Sequence, residues 1–148
     1  MLQSSENEAW EYLERRFGVN SSDLTNFELE EIAGDYWLHT GTREIKLEFE
    51  TRGIRFVRRT GKGLKPTTYA LQLLGPRISS NIVEGDEEEL RKLLKREEMI
   101  ERDLDSEEGY VALKYKDRII GCGFYKNGSV SSRIPKGRGK ELAEILKE

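Results

Sequence analysis

A chain of 148 residues, 36% hydrophobic and 36% charged with a net charge of −3, can bury one modest core or two small ones. No apolar run approaches the about 18 residues of a membrane span, and the acidic, amphipathic start is unlike a secretory leader. One cysteine, Cys122, excludes an internal disulfide and a cysteine-clustered zinc site, and one histidine, His39, excludes a two-histidine metal site, so the chain is expected to be cytoplasmic.

The charge is segregated along the chain. Residues 1–50 carry 4 basic and 12 acidic side chains, whereas 51–80 carry 7 basic and no acidic ones. Residues 81–109 return to 5 basic against 12 acidic, and 110–140 hold 8 basic against the single acid Asp117. Two basic blocks divided by acidic ones are expected to fold onto a common face.

Glu6 to Phe17 reads as a helix with Trp10, Leu13 and Phe17 on one face and Gly18 as its stop. Ser21-Ser22-Asp23 suggests a turn or cap, with Asp23 and Asn26 suited to a short helical turn. Phe27 to Thr40 is ambiguous: Leu29 and Ile32 suggest one helical turn, Tyr36-Trp37-Leu38 the start of a strand. His39 reads as a polar surface residue in a loop. Glu44 to Glu50 alternates as a strand, and Ile54 to Val57 makes another. In GKGLKPTTYALQLLG, residues 61–75, Pro66 suits the first turn of a helix carrying Tyr69, Ala70, Leu73 and Leu74. The basic 61–65 loop would then meet a helix N-terminus that favours anions; its spacing is not that of a nucleotide-hydrolysing phosphate loop.

Past Arg77 the pattern resets. Asn81 to Glu84 is a short strand, and Asp86 with Glu89 caps a helix running to about Arg96, its core side Leu90, Leu93 and Leu94. Met99 to Asp105 leads into three strands. Val111, Leu113 and Tyr115 alternate with Ala112, Lys114 and Lys116, as in a half-buried strand. Lys116-Asp117 turns into Arg118–Tyr125, and Asn127-Gly128 supplies a hairpin turn. Ile134-Pro135-Lys136-Gly137-Arg138 reads as an exposed basic loop, before a last helix striped by Ala143, Ile145 and Leu146. Cys122, between Gly121 and Gly123, reads as a buried structural thiol, and the glycines as points of close approach. No cofactor fingerprint occurs, and no catalytic constellation is found.

Residues 78–148, with NIVEGDEEELRKLLKREEMI followed by GYVALKYKDRIIGCGFYKNG and IPKGRGKEL, resemble a PUA-type RNA-binding domain. Residues 1–77, with RGIRFVRRTGKGLKPTTYALQLLG, resemble the pre-PUA partner of such domains. The whole is similar to the C-terminal region of archaeal Sun-type RNA cytosine-5 methyltransferases and to stand-alone pre-PUA/PUA ribosome-biogenesis factors. The resemblance implies an α+β fold: a pre-PUA-like α/β domain, then a mixed-β PUA-like pseudo-barrel. It implies binding of structured tRNA or rRNA, with contacts from the first helix of the barrel, the strand after it and nearby loops. The methyltransferase catalytic unit and its paired cysteines are absent, which leaves a non-catalytic binding protein, acting alone or with a separate methyltransferase or ribosomal particle. No membrane or DNA partner is expected.

On this reading Arg58, Arg59, Lys62 and Lys65 meet phosphates from the first half, and Lys126, Arg133, Lys136 and Arg138 from the second. Tyr125 and Tyr115 offer rings for base stacking, and the backbone of Gly137 and Gly139 lets a phosphate approach. The alternative is an adaptor that docks a methyltransferase or a basic ribosomal protein through the acidic first helix or the acidic 86–108 run.

Overall fold

Ala9, Leu13 and Phe17, one turn apart, form the buried stripe of helix α1 (Ser5–Phe17), which stops at Gly18 with φ +70°. The computed structural model describes residues 5–20, 22, 27–40, 54–95 and 99–146. The expected strand at 44–50 and the turn around Asp23 and Asn26 lie outside them. The ambiguous Phe27–Thr40 segment is a hairpin of β1 (Phe27–Ile32) and β2 (Asp35–Thr40), with Leu29 opposite Leu38. No helical turn forms at Leu29 and Ile32, because Ala33 (φ +53°) and Gly34 (φ +90°) reverse the chain in the left-handed region that two-residue hairpins use. His39 therefore belongs to a strand and not to a loop.

β3 (Ile54–Thr60) runs three residues beyond the expected Val57 and turns into β4 (Gly63–Pro66), giving an antiparallel sheet in the order β1-β2-β3-β4. Pro66 thus lies in the edge strand, where a missing N–H is tolerated, and not in the first turn of α2 (Thr68–Leu74). Thr67 caps that helix, its Oγ1 accepting from the Ala70 N–H at 3.1 Å. The basic 61–65 stretch is consequently turn and strand, not a loop aimed into a helix.

The second sheet has the order β5-β7-β8-β9-β6 and curls as a half-barrel. β5 (Ile82–Glu84) lies parallel to β7 (Gly109–Tyr115), joined by a crossover that contains α3 (Glu87–Leu94) and the two-residue β6 (Ile100–Glu101). β7, β8 (Arg118–Lys126) and β9 (Ser129–Ser132) form the expected meander, and Asn127 (φ +52°) and Gly128 (φ +79°) make its hairpin turn. The cap of α3 is reciprocal: Asp86 accepts from the Glu89 N–H at 2.8 Å, and the Glu89 carboxylate accepts from the Asp86 N–H at 3.2 Å. The basic segment after Ile134 is not an exposed loop, because helix α4 (Lys136–Leu146) begins within it.

Two cores result. One joins α1, the four-stranded sheet and α2 to Ala112 and Cys122 of the half-barrel. The other gathers Leu90, Leu93 and Leu94 of α3 with Val111, Leu113, Val130 and Ile134. β7 therefore faces a core on both sides, which corrects the half-buried alternation expected for it: Val111, Ala112 and Leu113 are all fully buried. The second face exists because α2 lies on β8. The Cys122 N–H donates to Thr68 Oγ1 at 3.3 Å, and Gln72 Nε2 donates to the Ile120 carbonyl at 3.1 Å. Close approach requires glycine there: a Cβ on Gly121 would fall 2.5 Å from Ile134 and 3.1 Å from Thr68 Oγ1.

Gly121→Ala is accordingly expected to destabilise the protein by about 1–3 kcal/mol in denaturant unfolding. In an Ile134→Ala background the same change should cost measurably less, because the atoms it meets are gone. Additive effects of the two substitutions would count against this contact.

Candidate nucleic-acid interface

Between the four-stranded sheet, α2 and the β9–α4 link lies a cavity of about 560 Å³. Trp37 comes from β2, Ile54, Arg55 and Arg58 from β3, Lys65 and Pro66 from β4, Thr67–Tyr69 from the start of α2, and Arg133 and Pro135 from the link. Four cations converge, and none of the described lining residues is a carboxylate. The β3–β4 register sets Arg58 directly opposite Lys65. Like charges placed so are mutually unfavourable.

Each cation is held differently. The register between β2 and β3 slips at Tyr36/Trp37, so Arg55 pairs with Trp37 and Phe56 is the extra, buried residue. The Arg55 guanidinium lies 5.0 Å from the Trp37 ring centroid, and its Nε is 3.5 Å from Asp35 Oδ2. Arg133 stacks 5.1 Å from the Phe124 centroid and donates from Nη1 to Ser131 Oγ at 2.8 Å and to the Ser132 carbonyl at 3.2 Å. Lys65 Nζ lies 6.0 Å from the Tyr110 ring centroid. Arg58 is exposed on the strand.

Of the nine residues singled out from sequence, Arg58, Lys65 and Arg133 meet in this cleft. Lys62 is exposed in the β3–β4 turn, and Lys136 is exposed one residue past the lining Pro135. Arg59 points its charge elsewhere, donating from Nη2 to Glu8 Oε1 of α1 at 2.6 Å and to the Tyr36 hydroxyl at 2.7 Å. That guanidinium holds the Glu8 carboxyl below the usual carboxylate range. Arg138 lies within α4 and pairs with Glu141 at 3.4 Å. Lys126 is exposed at the end of β8, outside the cleft lining.

Three stacking or backbone assignments are corrected. Tyr125 is 8% exposed and its hydroxyl bonds the backbone N–H and C=O of Leu104, both at 3.3 Å, so its ring has no face for a base. Tyr115 lies outside the cleft, in a separate shallow depression with Glu84, Asp86, Glu87 and Lys116, and its ring already carries the Lys116 ammonium, with Nζ 5.3 Å from the centroid. Gly139 is buried, and a Cβ there would lie 2.5 Å from the Leu94 carbonyl oxygen, so it serves packing of α4 on α3 and not phosphate approach.

Sequence reasoning missed Trp37, Ile54, Arg55 and Tyr69 as site residues. Nothing in the sequence sets Ile54 and Tyr69 apart from core residues; their exposure, 46% and 53%, emerges only from the fold. The acids assigned to protein docking are partly engaged within the chain: Glu8 with Arg59, Glu87 with Arg91, and Glu89 with Arg102 at 2.8 Å. No protein-family model matches the chain, and a search of curated proteins finds no match.

Cys122 is fully buried, and burial pushes its thiol up to about 12. The native protein is expected to leave it unmodified by a thiol reagent at pH 8 and to react completely once unfolded in denaturant. Rapid reaction of the folded protein would contradict that placement.

Proposed function

We propose that this chain is a non-catalytic, cytoplasmic binder of structured RNA, and that the cleft between its two sheets is the centre of the RNA-facing surface. The observation that carries this reading is the convergence of Arg55, Arg58, Lys65 and Arg133 on an aromatic cleft whose described lining includes no carboxylate. A phosphate backbone supplies an anion for the opposed Arg58 and Lys65. Lys62 on one side and Lys136 on the other extend the positive surface, and contacts of this kind follow RNA shape more than sequence. The proposal includes the arrangement of a pre-PUA-like unit followed by a PUA-like one, supported by an α+β fold whose second sheet curls as a half-barrel. A role in tRNA or rRNA modification or ribosome assembly, beside a separate methyltransferase, accords with it.

Fluorescence anisotropy with a labelled tRNA or rRNA hairpin tests the reading. Affinity should fall steeply from 50 to 200 mM salt, as counterion release requires. Arg58→Glu with Lys136→Glu, both at exposed positions, should weaken binding by about tenfold or more with little change in thermal midpoint. Undetectable binding at 50 mM salt, or a double variant that binds like the parent, overturns it.

A further inference from the structure

Phosphate contacts explain the cations of the cleft but leave its apolar walls without a purpose. Ile54 and Tyr69 are among the exposed large hydrophobic residues of the protein, and both line this one cavity together with Trp37, Pro66 and Pro135. Exposed apolar side chains scattered singly need no explanation, whereas several gathered in a concave site with a few polar groups mark a ligand pocket. Its volume of about 560 Å³ lies within the roughly 300–1,000 Å³ of pockets that enclose a small molecule. A duplex keeps its bases stacked inside and presents phosphate and sugar outside, so it has no planar apolar face to offer such a cavity.

The geometry points to a pocket for one unpaired nucleotide of the bound RNA, its base enclosed by the apolar walls and its phosphates on the cations at the rim. This rests on the RNA-binding reading above and names what the same site selects. The half-exposed ring of Tyr69 and the side chain of Ile54 supply open apolar surface for a base. The Trp37 ring already carries the Arg55 guanidinium, so that wall is a cation on an aromatic platform, which stacks on a base as well. The Thr67 and Thr68 hydroxyls already serve the protein, as helix cap and as acceptor for the Cys122 N–H. Few polar groups are therefore left to read a base edge, and the pocket should accept any base that can leave the stack. Arg133 is pre-positioned: its two hydrogen bonds both run from Nη1, leaving Nη2 and Nε for a phosphate. The protein would then prefer RNA with a bulge or an open loop to an uninterrupted helix.

The test uses one hairpin RNA in two forms, fully paired and with a single bulged 2-aminopurine, beside free 2-aminopurine riboside monophosphate. The bulged form is expected to bind roughly 5- to 160-fold more tightly than the paired one, the range of one stacked base, with its emission changed on binding. Tyr69→Ala should abolish that advantage, whereas Met99→Ala, at an exposed apolar position outside the cleft lining, should preserve it. If both hairpins bind equally and the emission is unchanged, the nucleotide pocket is overturned while RNA binding stands. If the free nucleotide binds as tightly as the bulged hairpin, the cavity is a mononucleotide site and the inference also fails. If neither hairpin binds at low salt, the RNA reading itself has failed, and this one with it.

Discussion

The contact on which the molecule depends is the seating of α2 across β8. An interior strand that is to receive a helix on one face and a neighbouring link on the other can have little side chain there, and β8 offers the small Cys122 toward the core shared with α2 and Gly121 where Ile134 and Thr68 approach. Ile134 occupies the space that a Cβ on Gly121 would need. Thr68, buried at the start of α2, accepts the Cys122 N–H, so the closest point of approach carries a hydrogen bond where an unmet donor would otherwise be buried. Removing that approach would separate Ala112 and Cys122 from the core they share with α1 and α2.

The same seating makes the cleft. Thr67, Thr68 and Tyr69 open α2, and Arg133 is tied to β8 by its N–H, which donates to the Cys122 carbonyl at 2.8 Å. One end of α2 and the β9–α4 link are thereby fixed against one segment of β8. β4 leads straight into α2 through Thr67, whose N–H donates to the Phe56 carbonyl at 3.0 Å and whose Oγ1 donates to the Arg55 carbonyl at 2.8 Å. The basic β3–β4 hairpin cannot move independently of α2. Two basic blocks far apart in sequence meet because both border one short helix.

Much of this was legible in the chain. Period and caps marked α1 and α3, Asn127-Gly128 marked its hairpin, and the glycines around Cys122 announced close packing. The β1–β2 hairpin was hidden because Ala33 occupies a left-handed position where Gly, Asn or Asp is the usual signal, and because Leu29 and Ile32 fit one helical turn as well as a strand. Pro66 was misplaced by one element, since proline suits an edge strand and a helix start about equally, and only pairing with Val57 decides. Of the site, the cations were visible but their sorting was not. Arg58 and Arg59 are adjacent in sequence, yet Arg58 lines the cleft while Arg59 binds Glu8 and Tyr36. Which face each takes depends on the bulge at Phe56, a property of strand register that composition does not carry.

That sorting also bears on the acidic faces of the protein. An acidic docking face needs carboxylates that are free to meet a partner, and several here are committed to arginines that join elements: Glu8 to Arg59 across α1 and β3, and Glu89 to Arg102 across α3 and the segment after β6. Arg102 also donates to the Glu84 carbonyl at 3.0 Å, so breaking its pair with Glu89 would loosen the crossover beside β5. Glu8 and Glu89 act as internal struts. In the cleft Arg55 keeps a longer contact with Asp35 at 3.5 Å, and Arg58 and Lys65 are opposite each other across the hairpin. Glu8 and Glu89 thus tie elements together, while the cleft gathers Arg55, Arg58, Lys65 and Arg133 beside the Trp37 and Tyr69 rings, the arrangement on which the proposed anion binding rests.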